Sequence, residues 1–256
     1  MDIQAYLKHI NYDGPTSWTS DTLRRLQVAH LQTVPFENLS IHTGEPIVLA
    51  DDALFTKIVE RRRGGFCYEL NGLFAALLRA LGFDVTMLSA EVANELGGFS
   101  EPFDHMTLMV TLEQRWLVEV GFGDCFIEPL LLDESAEQVE GRRTYRIVPD
   151  GDYLILEQRE DGAWTPQYRF KLDPYNYNDF AAMCRYHQTS PQSHFTQKRI
   201  CSRLTPERGR ITLSDMHLIE TSMDGQRRER TVPNEQEYNR VLRESFGIVL
   251  PAPTPA

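Results

Sequence analysis

Hydrophobic positions along the chain change their spacing twice. Up to about residue 83 they recur at helical spacing. Leu23, Leu26 and Leu31 mark one amphipathic run behind the cap candidates Thr19, Ser20 and Asp21. Leu70, Leu73, Phe74, Leu77, Leu78 and Leu81 mark another, which opens at Cys67 and stops at Gly82. Between them, Asp51-Asp52 predicts the start of a helix running through ALFTKIVERRR to Gly64-Gly65. From residue 84 to about residue 172 the spacing is alternating and β-branched. VTMLSAEV, MTLMVTL, WLVEVGF, YRIV, YLILEQ and QYRFKL are separated by Gly, Asp and Pro clusters, as in an antiparallel sheet or barrel. Farther on, NDFAAMCRYHQ reads as a helix, RICSRL, RITLS, HLIETS and ERTV as short strands, and EQEYNRVLRESF as a last helix. The proline-rich tail PAPTPA is expected to fray. Helices first and strands later, without βαβ alternation, predict an α+β fold.

Composition narrows the class. With 256 residues, 41% of them hydrophobic, the chain is long enough for one large domain or two to three compact lobes. A net charge of -11 disfavours nucleic acid and anionic membranes as partners, since both are met by basic clusters. The two basic runs, Arg61 to Arg63 and Gln226 to Arg230, are short and read as solvated or ion-paired faces. Cys67, Cys125, Cys184 and Cys201 are too sparse for a disulfide scaffold and form no CxxC pair, so reduced thiols and no metal are expected. MDIQAYLKHINYDG lacks the build of a signal peptide, and no stretch nears the roughly 20 apolar residues of a membrane span. A soluble cytoplasmic protein is the expectation; its oligomeric state stays open.

The chemistry concentrates at RRRGGFCYELNGLF, residues 61 to 74. Gly64-Gly65 allows a sharp turn and sets Cys67 in the first turn of a helix, where unpaired N–H groups and the helix dipole favour a thiolate. A cysteine taken alone is more often a buried packing residue, but a flexible glycine pair has little value to packing. A nucleophile needs a base and a group that orients the base. His105 opens the strand HMTLMVTL, and the chain returns as WLVEVGFG; if the loop holds an odd number of residues, Glu119 falls on the same face as His105. Each has a bland reading, a strand-end histidine and an outward-facing acid, and the joint arrangement is what favours a triad. Asp104 and Asp124 are rival orienting groups. Asp104 is expected on the opposite face of its strand, and Asp124 in a loop beyond Gly123.

Five segments in order, VPFENL at 34 to 39, RGGFCYELNGLF at 63 to 74, the strand at His105, VEVGFG at 118 to 123 and YHQTSPQSHFTQ at 186 to 197, resemble the arylamine N-acetyltransferase family of bacterial type. The resemblance implies an N-terminal helical bundle (1–83) carrying the nucleophile and a central antiparallel β-barrel (84–172) carrying the histidine and acid. It further implies an interdomain helix and linker (173–193), a C-terminal α/β lid (194–256) and a cysteine-protease-like catalytic core. It implies acetyl transfer from acetyl-CoA, as co-substrate, to an arylamine, arylhydrazine or N-hydroxyarylamine, by a ping-pong route through an acetyl-cysteine. Carried over by position, Cys67 is the nucleophile, His105 the base and Glu119 the orienting acid. Phe36, Phe122 and Gly123 lie toward the acceptor, and Tyr186, Thr189, Ser190 and Gln192 toward the coenzyme. Glu37 and Arg63 read as a structural ion pair. The family ordinarily has aspartate where this chain has Glu119, so either the strand sits farther from His105 or the longer side chain folds to keep its hydrogen bond. Two other readings stay open: a cysteine hydrolase or transglutaminase-like acyltransferase, and a noncatalytic small-molecule-binding homologue.

Overall fold

The computed structural model describes residues 1–250; the tail PAPTPA lies outside the described residues. The amino-terminal part holds helices α1 (Ile3–His9), α2 (Ser20–Thr33), α3 (Leu39–Thr43), α4 (Asp51–Phe55) and α5 (Cys67–Ala80), with a two-residue strand, β1 (Phe36–Glu37), between α2 and α3. The Thr19 hydroxyl caps α2 by accepting from the Thr22 N–H. The helix expected from Asp51 to the arginines is interrupted. After Phe55 the chain widens into a π-helical turn, Thr56–Glu60, and Arg62 takes a left-handed conformation (φ 53°), so the helix ends before the basic run. The widened turn serves buried charge: Lys57 Nζ reaches Glu69 Oε1 at 2.7 Å, and Arg63 turns inward to Glu37 at 2.8 Å with both side chains almost fully buried. The Glu37–Arg63 pair expected from the sequence is present.

An eight-stranded antiparallel sheet follows, made of β2 (Asp84–Val92), β3 (His105–Thr111), β4 (Arg115–Val118), β5 (Leu130–Leu131), β6 (Gln138–Glu140), β7 (Arg143–Asp150), β8 (Tyr153–Arg159) and β9 (Trp164–Phe170). Its order, β5-β4-β3-β2-β9-β8-β7-β6, leaves two short strands at the ends. Side chains close the gap between them. The Gln138 amide accepts from the Leu131 N–H at 2.8 Å and donates to the Leu131 carbonyl at 3.0 Å, in place of a backbone ladder pair. Glu140 accepts from the Ile127 and Glu128 N–H groups beside it. The sheet is thereby a nearly closed barrel, bridged between its two end strands by side chains. Its interior is filled by Leu88, Leu117, Phe126, Tyr145, Leu156, Tyr168 and Phe170.

Helix α6 (Tyr177–Thr189) and the short α7 (His194–Gln197) lead to a second sheet of β10 (Ile200–Leu204), β11 (Arg210–Ser214), β12 (His217–Thr221) and β13 (Arg227–Thr231), backed by α8 (Glu235–Phe246). Strand β1 is the fifth member of this sheet, pairing Phe36 with Ser202 and Glu37 with Cys201. The same strand holds the glycine turn: the Glu37 N–H donates to the Gly65 carbonyl at 2.8 Å. A Cβ on Gly64 would sit 1.9 Å from the Pro35 carbonyl oxygen, so no larger residue fits. One short strand therefore ties the last sheet to the loop that precedes Cys67. Among the described residues no helix is long and apolar enough to cross a membrane.

Behind α5, His30 is fully buried with Nδ1 2.9 Å from the Tyr6 hydroxyl, and burial pushes its imidazole down to about 3. The folded protein therefore holds His30 neutral where an unfolded chain would take a proton below about pH 6.5. Stability is complete above that pH and falls below it, by about 1.4 kcal/mol per pH unit until the folded group titrates. Urea unfolding at pH 6.5 and 4.5 should show about 2 kcal/mol less stability at the lower pH from this residue. In His30→Gln that increment should vanish; an unchanged difference would refute the assignment.

Candidate active site

The site is built where α5, the start of β3 and the end of β4 meet. Phe66 sets the first turn of α5: Glu69, three residues on, accepts from the Phe66 N–H at 3.2 Å in the manner of a capping box. Cys67 is the first residue of the helix and is 3% exposed. Asn71, one turn later on the same face, donates through Nδ2 to the Met106 carbonyl and to Glu119 Oε1, each at 2.6 Å, and accepts from the Val120 N–H at 2.9 Å. A single buried amide thus joins the helix of Cys67 to both strands. Its signal in the sequence is a polar residue four positions from the thiol inside an apolar face.

The β3–β4 ladder runs from Thr111↔Arg115 to Leu108↔Val118, which leaves a three-residue loop, 112 to 114. The loop is odd, as the parity argument required. Strand β4 stops at Val118, earlier than the sequence pattern predicts, because Glu119 leaves the ladder. Its N–H donates to the Gln27 side chain of α2 at 3.1 Å, and Gln27 is anchored in turn on the Ile127 carbonyl. Glu119 Oε2 lies 2.7 Å from His105 Nε2, and its other oxygen accepts from the Gly121 N–H at 2.7 Å. The longer acid therefore folds back over its own backbone and keeps the hydrogen bond. Three donors hold this carboxylate: His105, Asn71 and Gly121. Gly121 has little freedom to change, since a Cβ there would lie 2.8 Å from Cys67 Cα.

The imidazole of His105 is boxed by Phe122, edge-on at 5.0 Å between centroids, and by Tyr168 at 5.3 Å. Cys67, His105, Asp104, Phe36, Phe122, Gly121 and Phe195 line one cavity of about 280 Å³. Of the residues singled out from the sequence, Cys67, His105, Phe36 and Phe122 meet there. Gly123 is in left-handed backbone (φ 93°) against Phe36 without lining the cavity. Tyr186, Thr189, Ser190 and Gln192 do not line it either. Tyr186, Thr189 and Gln192 are exposed, and Ser190 ends α6 half-buried. Asp124 is held below the usual carboxylate range, against its burial, by Arg143 and Arg210, and points to them at 2.7 and 3.0 Å. It is thereby removed as a partner for His105. Asp104 pairs instead with His187 on α6. Sequence reasoning missed Asn71, Gln27 and Phe195.

Burial opposes one expectation. Burial pushes the Cys67 thiol well up from its ordinary value; the Met106 N–H, bonded to the sulfur, works against this, and the carboxylates of Asp104 and Glu119 add to it. Burial thus works against the favourable field at the helix start. A proton passed to His105 costs far less than one lost to solvent, because thiolate, imidazolium and carboxylate together carry the same net charge as thiol, imidazole and carboxylate. Among the described residues no cluster of three or more metal-ligating side chains occurs.

A family model described as N-acetyltransferase matches residues 19–254 of this chain. An arylamine N-acetyltransferase of Escherichia coli is 32% identical over 248 residues, covering 96% of this chain and 88% of that protein. An arylamine N-acetyltransferase / N-hydroxyarylamine O-acetyltransferase of Salmonella typhimurium is also 32% identical, with the same coverage. The solved structure of Mycobacterium marinum arylamine N-acetyltransferase in complex with CoA superposes with a TM-score of 0.89 at 32% identity, covering 96% of this chain and 93% of that one.

Proposed function

The chain belongs to the arylamine N-acetyltransferase family, and from that premise we propose that Cys67, His105 and Glu119 run its reaction. That reaction transfers acetyl from acetyl-CoA to an arylamine, arylhydrazine or N-hydroxyarylamine. The observation that carries the assignment is the buried 2.7 Å contact between Glu119 and His105 on the wall of the cavity that also holds Cys67. With Nε2 engaged by the acid, Nδ1 is the nitrogen that takes the thiol proton. The thiolate attacks the thioester carbonyl of acetyl-CoA, and the first amides of α5, which have no intrahelical acceptor, are the oxyanion donors we assign. Coenzyme A leaves as the thiol with the proton from His105. The amine then attacks acetyl-Cys67, His105 accepts its proton, and the freed thiolate closes the cycle.

Phe36 and Phe122 give the acceptor ring flat apolar walls, and Phe195 adds a third. A cavity of about 280 Å³ suits the acetyl group and a small aromatic ring, near the lower end for small-ligand pockets. The nucleotide end of the coenzyme lies outside it, where Tyr186, Thr189, Ser190 and Gln192 remain our candidates for contact. We read residues 1–83 as the bundle bearing the nucleophile, 84–172 as the barrel bearing the base and acid, 173–193 as the link and 194–256 as the lid, around a cysteine-protease-like core. Four unpaired, buried thiols fit a reducing, cytoplasmic setting.

Intact-protein mass spectrometry after exposure to acetyl-CoA tests the proposal. One acetyl group should be gained and mapped to Cys67, then lost on addition of an arylamine with the acetylated amine appearing. Acetyl lost equally fast without the amine would indicate a hydrolase, and no acetyl gained would indicate a noncatalytic relative.

A further inference from the structure

His187 lies outside the triad, yet three parts of the site converge on it. It is buried on α6, 3% exposed. Its Nε2 is 3.0 Å from Asp104 Oδ1, on the residue immediately before the base, a close polar contact without hydrogen-bond alignment. Its Nδ1 is 3.0 Å from the buried Ser193 hydroxyl. Its ring stacks on Tyr68, the residue immediately after the nucleophile, at 30° between planes. The Tyr68 hydroxyl donates to the Phe103 and Asp104 carbonyls at 2.7 and 3.1 Å. Phe195, on the cavity wall, meets the same ring edge-on at 5.1 Å.

The polar contacts have one consistent direction. A carboxylate only accepts, so the His187 proton belongs on Nε2. Nδ1 then accepts from the Ser193 hydroxyl, whose oxygen accepts from the Phe195 N–H at 3.3 Å. A polar chain thus runs from the backbone of the pocket wall to the residue beside His105. A buried imidazole is an expensive way to fill space, and an apolar side chain would pack there without linking the three elements.

We infer that His187 is a positioning residue for the acceptor half of the reaction: it fixes the Phe195 wall in register with Cys67 and His105. The inference rests on the transferase reading above. The acetyl-donor half is less exposed to the wall, because acetyl-CoA is anchored by a long coenzyme, whereas a small arylamine depends on flat walls for its aim. A shift of about 1 Å in such a wall reduces the rate on the order of 10²-fold.

The test separates the two half-reactions by intact mass at millisecond to second delays. In His187→Ala, formation of acetyl-Cys67 should stay within about threefold of the wild type, while discharge to an arylamine slows at least about tenfold, mainly through a raised KM for the amine. His187→Gln, which can still meet Ser193 or Asp104, should recover part of the loss. Equal slowing of both halves, or unchanged discharge, overturns the inference. Should His187→Ala fail to fold, Ser193→Ala keeps the ring and removes its Nδ1 partner; discharge at the wild-type rate in that variant overturns it as well. A wild type that forms no acetyl-Cys67 defeats the transferase reading itself, a result distinct from either.

Discussion

Cys67→Ser should fold normally and lose acetyl transfer by on the order of 10⁴-fold or more, with no acetyl gained on the intact protein. The swap is nearly isosteric at a site that is already 3% exposed, so thermal unfolding should shift little. The chemical difference is large. A hydroxyl is far less acidic than a thiol, and the pocket already disfavours an anion at this position by burial and by the carboxylates of Asp104 and Glu119. No other thiol can substitute. Cys125, Cys184 and Cys201 are buried and pushed up like Cys67, but none of them lines the cavity that holds His105. A Cys67→Ser protein that still acetylated an arylamine at more than about a hundredth of the wild-type rate would place the chemistry elsewhere.

On the proposed assignment His105 takes the Cys67 proton, so alkylation by iodoacetamide should reach Cys67 before the other three thiols at neutral pH and do so through the imidazole. The helix start contributes a favourable dipole, burial opposes it, and a proton passed to His105 would leave the net charge of the site unchanged.

What the sequence disclosed follows the range of the interactions involved. Helix α8 and strands β10 to β12 were legible because their capping and alternation are local, as with Asn234 before Glu235 and Gly247 after Phe246. His105 and Glu119 could be related because a hairpin converts spacing into parity, and three loop residues settled it. Strand β1 was not legible: two residues carry no period, and their partners lie more than 160 positions away. The Gln138 closure of the barrel and the π-helical turn at Thr56 depend on where distant edges and charges end up. Asn71 and His187 were missed for another reason. A polar residue within an amphipathic helix reads as surface, and only tertiary packing turns it inward. The burial that opposes ionisation of the thiol was not legible either, because it comes from tertiary packing around Cys67.

Glu119→Gln is the second large effect, because it removes charge and hydrogen-bond complementarity together. The carboxylate receives three donors, His105 Nε2–H, Asn71 Nδ2–H and Gly121 N–H. An amide has one oxygen and one NH₂ group, so at least one of the three donors must face another donor in a buried site. If the NH₂ group faces His105, the imidazole adopts the other tautomer and presents a proton to the thiol, where a base is needed. If it faces Asn71 and Gly121, the bridge from α5 to the end of β4 is broken instead. The comparable carboxylate-to-amide change in serine-protease triads lowers kcat about 10⁴-fold, and a fall of about 10³- to 10⁴-fold is expected here. The unmet buried donors should also remove about 1–3 kcal/mol of stability. Glu119→Asp keeps the charge but shortens the reach; the acid must give up either Gly121 or His105, and a loss of about 10- to 100-fold should result. Asp124→Asn sets the control, because that acid is spent on Arg143 and Arg210 and its loss should weaken folding while leaving kcat within about threefold. Steady-state kinetics on the three variants decide the matter: a Glu119→Gln enzyme at wild-type kcat beside an inactive Asp124→Asn enzyme would transfer the orienting role to Asp124.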